Sequence, residues 1–194
     1  MTDSQTAIET LGPGDEDRIA QVCELLVASF RELSPTWVPT AKAAREVVDE
    51  ALEPEMFSRV LLVAGRVAGW VGARHDYGSL WELHPLVVDP TQRGHGYGRA
   101  LVDDVERLVA GAGGLTLLAS TSDESNRTSL YGQDLFRDPL GALRDLKVFD
   151  RLHPLGFWQR MGFTLIGVVP DAEGPGKPSI QLAKRVGPLE PFDT

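Results

Sequence analysis

The chain has 194 residues, 42% of them hydrophobic and 24% charged, which is typical of one soluble globular domain with a sizeable core. Its 28 acidic and 19 basic residues give a net charge of −9, which repels nucleic acid and favours cationic partners. No apolar run reaches the roughly 18 residues of a membrane span, no signal-peptide pattern is visible, and a lone Cys23 excludes an internal disulfide. We therefore expect a cytoplasmic protein that binds neither membranes nor nucleic acid.

The first third of the chain predicts a strand, two helices and a hairpin, in that order. Apolar residues at helical spacing predict an amphipathic helix over residues 15–30 and place Cys23 in its buried stripe. A proline-rich break that carries Trp37 precedes the second helix. The predicted bounds are strand 6–11, helices 15–30 and 41–52, and strands 59–64 and 67–74 around a tight turn at Gly65.

The stretch 81–100 predicts a strand, a turn at Asp89-Pro90, a glycine-rich loop and a helix that begins near Gly98. Glycine accepts positive φ, so we expect Gly94, Gly96 and Gly98 to fold the loop tightly with its N–H groups turned inward. Free N–H groups at a helix N-terminus, flanked by Arg93 and Arg99, indicate an anion site, and phosphate is the anion that we expect there. The Gly-Lys-Ser/Thr ending of a Walker A loop is absent, and the glycine spacing differs from a dinucleotide fingerprint.

The second half predicts further core strands that are separated by a polar stretch. Residues 121–150 are too long for a plain connection, so we expect this stretch to be functional or partly helical. No repeat and no linker divides the chain, which predicts a single α/β domain over 1–194, with a loose tail from Gly187. The remaining predicted elements are strand 115–119, helix 153–161, and strands 163–169 and 179–186.

Arg93, Gly96 and Gly98 fill an Arg/Gln-x-x-Gly-x-Gly/Ala pattern that resembles the acetyl-CoA pyrophosphate loop of the GNAT acetyltransferase superfamily. Residues 157–163, FWQRMGF, resemble its aromatic-aromatic-x-x-x-Gly-Phe signature. Four blocks within residues 81–88, 128–135, 153–157 and 167–185 are similar to the aminoglycoside 6'-N-acetyltransferases of that superfamily. The resemblance implies the GNAT fold, a central mixed sheet flanked by helices. It also implies acetyl-CoA as cofactor and acetyl transfer to an amine of a cationic small molecule, as in antibiotic resistance.

Acetyl transfer to an alkyl amine needs a general base, because an amine with a pKa of about 10.4 is mostly protonated at neutral pH. The resemblance places this base at Glu82. His84 is the chemical alternative, because its ordinary pKa lies near 6.5 and it is two residues along the same strand, hence on the same face. Leu86 completes the predicted catalytic set, since by resemblance its backbone contacts the acetyl group.

The resemblance also implies a cofactor site that centres on the glycine-rich loop. Two departures from the family pattern stand out: Trp158 replaces a tyrosine that protonates the leaving thiolate, and Ser179 replaces an aspartate. Water or Tyr131 would then supply that proton, or the thiolate leaves unassisted. The predicted cofactor residues are Leu86, Val87, Val88, Arg93, Gly94, His95, Gly96, Tyr97, Gly98, Arg99, Thr128 and Trp158.

Acidic and aromatic residues are the candidates for binding a cationic acceptor. Two alternatives remain open: an acetyltransferase for protein N-termini, lysines or polyamines, and a non-catalytic acetyl-CoA sensor. No metal site is expected, because the four histidines show no ligand spacing. Relatives often pair as homodimers, but the sequence does not show which surface would form the interface.

The acidic and aromatic residues that we predict to bind the substrate are Trp37, Tyr77, Trp81, Glu82, Asp123, Glu124 and Asp134.

Overall fold

The computed structural model of the chain describes residues 6–31, 34, 37–151 and 153–188. Each predicted helix and strand is present, with ends shifted by a few residues. The helices are α1 (Glu16–Phe30), α2 (Ala41–Glu50), α3 (Tyr97–Gly111), α4 (Pro139–Arg144) and α5 (Leu155–Arg160). The strands are β1 (Thr6–Thr10), β2 (Met56–Val63), β3 (Arg66–Tyr77), β4 (Leu80–Val88), β5 (Thr116–Ser122), β6 (Thr164–Val169) and β7 (Ser179–Arg185).

The strands are hydrogen-bonded in the order β1-β2-β3-β4-β5-β7-β6, a seven-stranded sheet accompanied by helices, which confirms the predicted α/β class. Two compact units divide the described chain. The first unit runs up to Leu117 and resumes at Arg185, and the second covers Leu118–Lys184. The single-domain organisation stays a prediction, and residues 189–194 of the predicted loose tail lie outside the described residues. None of the described helices is long and apolar enough to cross a membrane.

The first unit is built on an antiparallel array from β1 to β4. The apolar stripe of α1, which includes Ile19, Val22 and Leu26, is buried in one core with α2 and the central strands, as its helical spacing predicts. On α3, the buried Asp104 accepts from Arg59 of β2 across 2.6 Å. This ion pair fixes the helix that follows the glycine-rich loop to the sheet.

A β-bulge interrupts the β3–β4 pairing. Ala73 pairs with Leu83 and Val71 with Leu86, so Gly72 alone stands opposite His84 and Pro85. Glycine is required there, because a Cβ at Gly72 would lie 2.5 Å from the carbonyl oxygen of His84. The bulge therefore shifts the pairing with β3 in the middle of the strand that carries the predicted catalytic residues, while its side chains keep alternating between the two faces.

The second unit contains the antiparallel β6–β7 pair, α4, α5 and the polar connection that the sequence singled out. The connection is partly helical, as predicted. Asp138 caps α4 by accepting from the backbone N–H of Gly141 at 2.9 Å, and Pro139 occupies the first helical turn. Helix α5 ends before Gly162, which has φ +86°, as is common for a C-terminal glycine.

Candidate active site

Glu82 on β4 lies in an ion-paired cluster of the first unit. It stands opposite Arg74 in the β3–β4 register, and both Nε and Nη2 of Arg74 donate to its Oε2, at 2.9 and 2.6 Å. Glu50, at the end of α2, lies 3.6 Å from Nη1 of the same arginine. The Glu82 side chain is 19% exposed and Arg74 is 41% exposed, so the pair lies at the edge of the solvent. Two carboxylates and one guanidinium leave a surplus negative charge.

His84 lies beside this cluster and contacts the loop between α1 and α2. Its ring meets Trp37 edge to face, with centroids 5.3 Å apart, and Trp37 in turn packs on Phe30 at 4.7 Å. Burial lowers the pKa of His84 below its usual value, and the positive charge of Arg74 lowers it further, whereas Glu82 and Glu50 raise it. The imidazole is therefore mainly neutral at neutral pH. The structure thus brings three predicted residues together: Glu82, His84 and Trp37.

The glycine-rich loop after β4 ends at the N-terminus of α3. Gly94 and Gly96 have φ of +86° and +85°, as the loop prediction requires, and Gly96 is the N-cap of α3. Gly98 lies in the first turn of α3, in agreement with the predicted helix start near that residue, but it lacks the positive φ that the loop prediction expected. The first intrahelical bond runs from Ala100 N–H to Gly96 C=O, so the preceding N–H groups of the first turn have no helical acceptor.

This loop fits a pyrophosphate group. A Cβ placed on Gly94 or Gly96 would meet nothing within 4 Å, so the space in front of the backbone is open. Arg93 and Arg99 are exposed on either side. His95 Nδ1 lies 3.0 Å from the carbonyl oxygen of Gln92, and its ring stacks on Tyr97 at 5.6 Å. Free N–H groups, the helix dipole and two cations together favour an anion.

Two further residues of the first unit, Trp81 and Tyr77, were predicted to contact the substrate. Trp81 is buried, stacks on Phe57 at 4.8 Å and lies against Gly114, on the other face of β4 from its neighbour Glu82. The ring is thus part of the core, and its assignment to the substrate stays a prediction. Tyr77 is 69% exposed and pairs with Leu80 near the hairpin turn, so its substrate role stays a prediction.

The end of β4 bears the residues expected along the pantetheine arm. Val87 pairs with Trp70, and both side chains belong to the core cluster that includes α1 and α2. Val87 can therefore reach a ligand only through its backbone. Leu86 and Val88 are half-buried and stay predicted backbone contacts.

Two polar residues that the sequence placed in the site have structural roles in the second unit. Asp123 is buried and accepts backbone N–H bonds from Ser125, Arg127 and Thr128, the last at 2.7 Å. Its oxygens are thus committed to folding the loop and are not free for a cationic substrate. Thr128 is 0% exposed, and its hydroxyl accepts from Leu130 N–H; its assignment to the cofactor stays a prediction.

Trp158 is buried in an aromatic cluster, edge to face with Phe157 and Phe163 at 5.1 Å each. Its large apolar ring fills the core of the second unit, and its assignment to the cofactor site stays a prediction. His153, five residues before Trp158, is also buried, and desolvation lowers its pKa below the usual value. Neither residue was assigned its packing role from the sequence.

Two acids of the polar connection remain accessible. Asp134 is exposed, pairs with Arg137 at 2.9 Å, and lines a groove of about 700 Å³ within residues 129–147. Glu124 is half-buried. Both stay predictions as substrate residues.

Arg74 and Glu50 are the two site residues that sequence reasoning missed. A signal for Arg74 was present, because a hairpin centred on Gly78 places residue 74 opposite residue 82. Glu50 gave no such signal, because its contact depends on how α2 packs on the sheet.

Residues 19–141 match the model of the acetyltransferase (GNAT) family. Comparison with curated proteins gave no match. Among solved structures, an aminoglycoside 6'-N-acetyltransferase complexed with coenzyme A is 30% identical, with a TM-score of 0.86 over 95% of this chain and 99% of that one. The aminoglycoside 6'-N-acetyltransferase from Enterococcus faecium is 29% identical, with a TM-score of 0.83 and the same coverage.

An aminoglycoside 6'-acetyltransferase type Ii is 28% identical, with a TM-score of 0.71 over 95% of this chain and 99% of that one. These three structures match nearly the whole length of the chain, well beyond residues 81–185, which carry the motif resemblance. Together with the family match, they confirm the predicted fold. The chain belongs to the GNAT acetyltransferase family, whose cofactor is acetyl-CoA.

Proposed function

We propose that this acetyltransferase acetylates a primary amine of a cationic small molecule, and that its acceptor is the 6'-amine of an aminoglycoside. The observation that carries the proposal is the Glu82 cluster, whose surplus negative charge lies near His84, which in turn packs against Trp37. A chain charge of −9 adds long-range attraction for a polycation. Likeness to three aminoglycoside acetyltransferases over 95% of the chain supports the same acceptor class.

In this proposal Glu82 is the general base. The acceptor approaches as an ammonium ion, and Oε1 of Glu82 takes one of its protons directly or through a water molecule. The resulting amine has a free electron pair for attack. His84 is the weaker candidate for this role, because the ring is packed against Trp37. We assign His84 to shaping the acceptor side of the site, together with Trp37.

Acetyl-CoA supplies the acetyl group as a thioester, so that a C–N bond forms as the C–S bond breaks. We assign its pyrophosphate to the N–H groups of the first turn of α3 and to the loop at Gly94 and Gly96, with Arg93 and Arg99 as flanking cations. The backbone N–H of Leu86 is the proposed donor to the acyl oxygen. Because Trp158 is buried and indole N–H is no practical proton source, the thiolate takes its proton from water.

Thiol release from acetyl-CoA, measured across a panel of acceptors, tests the proposal. The panel contains aminoglycosides with and without a 6'-amine, polyamines and basic peptides, each with the wild type, Glu82→Gln and a control, Glu46→Gln. Glu46 is an exposed acid of α2 that pairs only loosely with Lys42, at 3.8 Å. We expect turnover with 6'-amino compounds alone, a large loss in Glu82→Gln and none in Glu46→Gln.

Other outcomes distinguish the alternatives. Turnover confined to peptides or polyamines would refute the aminoglycoside assignment and favour those acceptors. Binding of acetyl-CoA without turnover on any acceptor would favour a sensor. A cytoplasmic location and a homodimer complete the proposal, and light scattering on the purified protein tests the homodimer.

A further inference from the structure

Arg74 holds the carboxylate of Glu82 asymmetrically. Its Nε and Nη2 both donate to Oε2, at 2.9 and 2.6 Å, rather than one to each oxygen as in a symmetric fork. No described residue donates a hydrogen bond to Oε1. One oxygen is therefore tied to the protein while the other is left for solvent or a ligand.

Glu50 lies near the other end of the same guanidinium group. Its Oε1 lies 3.6 Å from Nη1 of Arg74, so the planar group is placed between two carboxylates. Glu50 is 58% exposed, and so it attracts Arg74 only weakly. The shorter, charge-assisted contacts to Glu82 determine where the guanidinium lies.

We propose that Arg74 is a positioning residue for acetyl transfer, which fixes Glu82 through Oε2 so that Oε1 is the oxygen that accepts the acceptor's proton. This inference rests on the proposed function of Glu82 as the base. In the step, one N–H bond of the acceptor's ammonium group breaks and an O–H bond forms on Oε1. The ammonium becomes a neutral amine and the carboxylate a neutral acid, while Arg74 stays protonated.

Loss of the Arg74–Glu82 contact should lower the rate of acetyl transfer. A glutamate side chain has three rotatable bonds, and without Arg74 the carboxylate rotates among several positions. A displacement of about 1 Å in a reacting group lowers a rate by roughly 100-fold. The loop at Gly94 and Gly96 lies after the end of β4, so acetyl-CoA binding does not depend on Arg74.

The test compares steady-state kinetics of Arg74→Gln, Arg74→Lys and Arg74→Ala with wild type, using an acceptor that the wild type acetylates. We expect Arg74→Gln to lower kcat by about tenfold to 100-fold with an unchanged KM for acetyl-CoA. Arg74→Lys should stay below wild type, because an ammonium is a point charge and cannot reproduce two parallel N–H donors. Arg45→Gln is the control, since Arg45 also bridges two carboxylates, Glu16 and Asp49, but not Glu82.

Chemical rescue separates positioning from damage to the fold. Because Arg74 is 41% exposed, methylguanidinium at millimolar concentration should enter the space left in Arg74→Ala and restore part of kcat, with no effect on wild type. A titration of His84 by NMR should show a higher pKa in Arg74→Gln, since the guanidinium lowers it in the wild type.

Two outcomes would overturn the inference. If Glu82→Gln is inactive but the Arg74 variants retain wild-type kcat, Glu82 is the base and Arg74 does not position it. The inference also fails if folded Arg74→Ala loses activity that methylguanidinium does not restore, or if Arg74→Lys has the kcat of the wild type. In either case, the two hydrogen bonds from Arg74 to Oε2 do not position Glu82. If the wild type acetylates no amine, the proposed function fails, and this inference fails with it.

Discussion

Substitution of Gly72 by alanine should impair catalysis more than binding of acetyl-CoA. Gly72 is the single residue opposite the bulge at His84 and Pro85. The added Cβ would lie 2.5 Å from the carbonyl oxygen of His84 and 3.3 Å from its carbonyl carbon. Carbon–oxygen contacts normally measure about 3.3–3.6 Å, so the two strands must separate locally by roughly 1 Å. The oxygen belongs to the backbone, and no side-chain rotation relieves the contact.

Two effects follow from this displacement. Overpacking of this kind costs about 1–3 kcal/mol of stability. A shift of about 1 Å at His84, two residues from Glu82, should lower kcat by roughly 100-fold. The KM for acetyl-CoA should stay close to wild type, because the anion loop begins beyond the end of β4.

Steady-state kinetics and thermal unfolding of Gly72→Ala, with Gly111→Ala as the matched control, check this prediction. A Cβ at Gly111, the last residue of α3, would meet nothing within 4 Å. The same substitution there should leave kcat unchanged and stabilise the helix by about 0.5–1 kcal/mol. A Gly72→Ala enzyme with wild-type kcat and midpoint of unfolding would refute the reasoning that the bulge positions the site.

Three further predictions concern the cofactor loop, the core and pH. Gly96→Ala should weaken acetyl-CoA binding, because φ +85° costs about 1–2 kcal/mol for alanine, and unchanged affinity by calorimetry would contradict this. Asp104→Ala should lower the free energy of unfolding in urea by about 3 kcal/mol by leaving Arg59 unpaired; a loss under 1 kcal/mol would show that solvent compensates. Burial lowers the folded-state pKa of both His84 and His153, so the unfolded chain binds more protons below about pH 6.5. Their contribution to stability is present above that pH and lost as pH falls through the folded-state values, and replacing both with glutamine should flatten urea-unfolding stability between about pH 7 and 5.

The sequence was sufficient to locate the helices and strands because their signals are local. The apolar spacing of α1, the glycines at 94 and 96, and Gly162 after α5 each act within one turn or one loop. The same local reasoning located the start of α3 to within one residue but failed on the backbone of Gly98, whose φ is not positive. Gly96, the N-cap, already supplies the positive φ with which the chain turns into the helix, so Gly98 can adopt an ordinary helical φ.

The site was only partly predictable, since residue type indicates chemistry but not burial. Asp123 and Thr128 are polar residues in a polar stretch. In the structure, the Asp123 carboxylate accepts backbone N–H bonds and Thr128 is buried. Trp81 and Trp158 are aromatic, but each is in a core. Glu82 and His84 were found because strand periodicity and family motifs agree there. Trp37 was found only as an aromatic residue in a proline-rich loop, and Glu50 depends on a tertiary contact.

The bulge on β4 divides one strand into two segments with different neighbours. Glu82 precedes the bulge and is held by Arg74, whereas His84 lies within it and packs against Trp37; the residues after it lead towards the glycine-rich loop. Under the proposed function, substitutions around Trp37 should therefore change which amines are accepted and leave the glycine-rich loop unaltered. A bulge at one strand position thus lets the two segments of β4 vary separately.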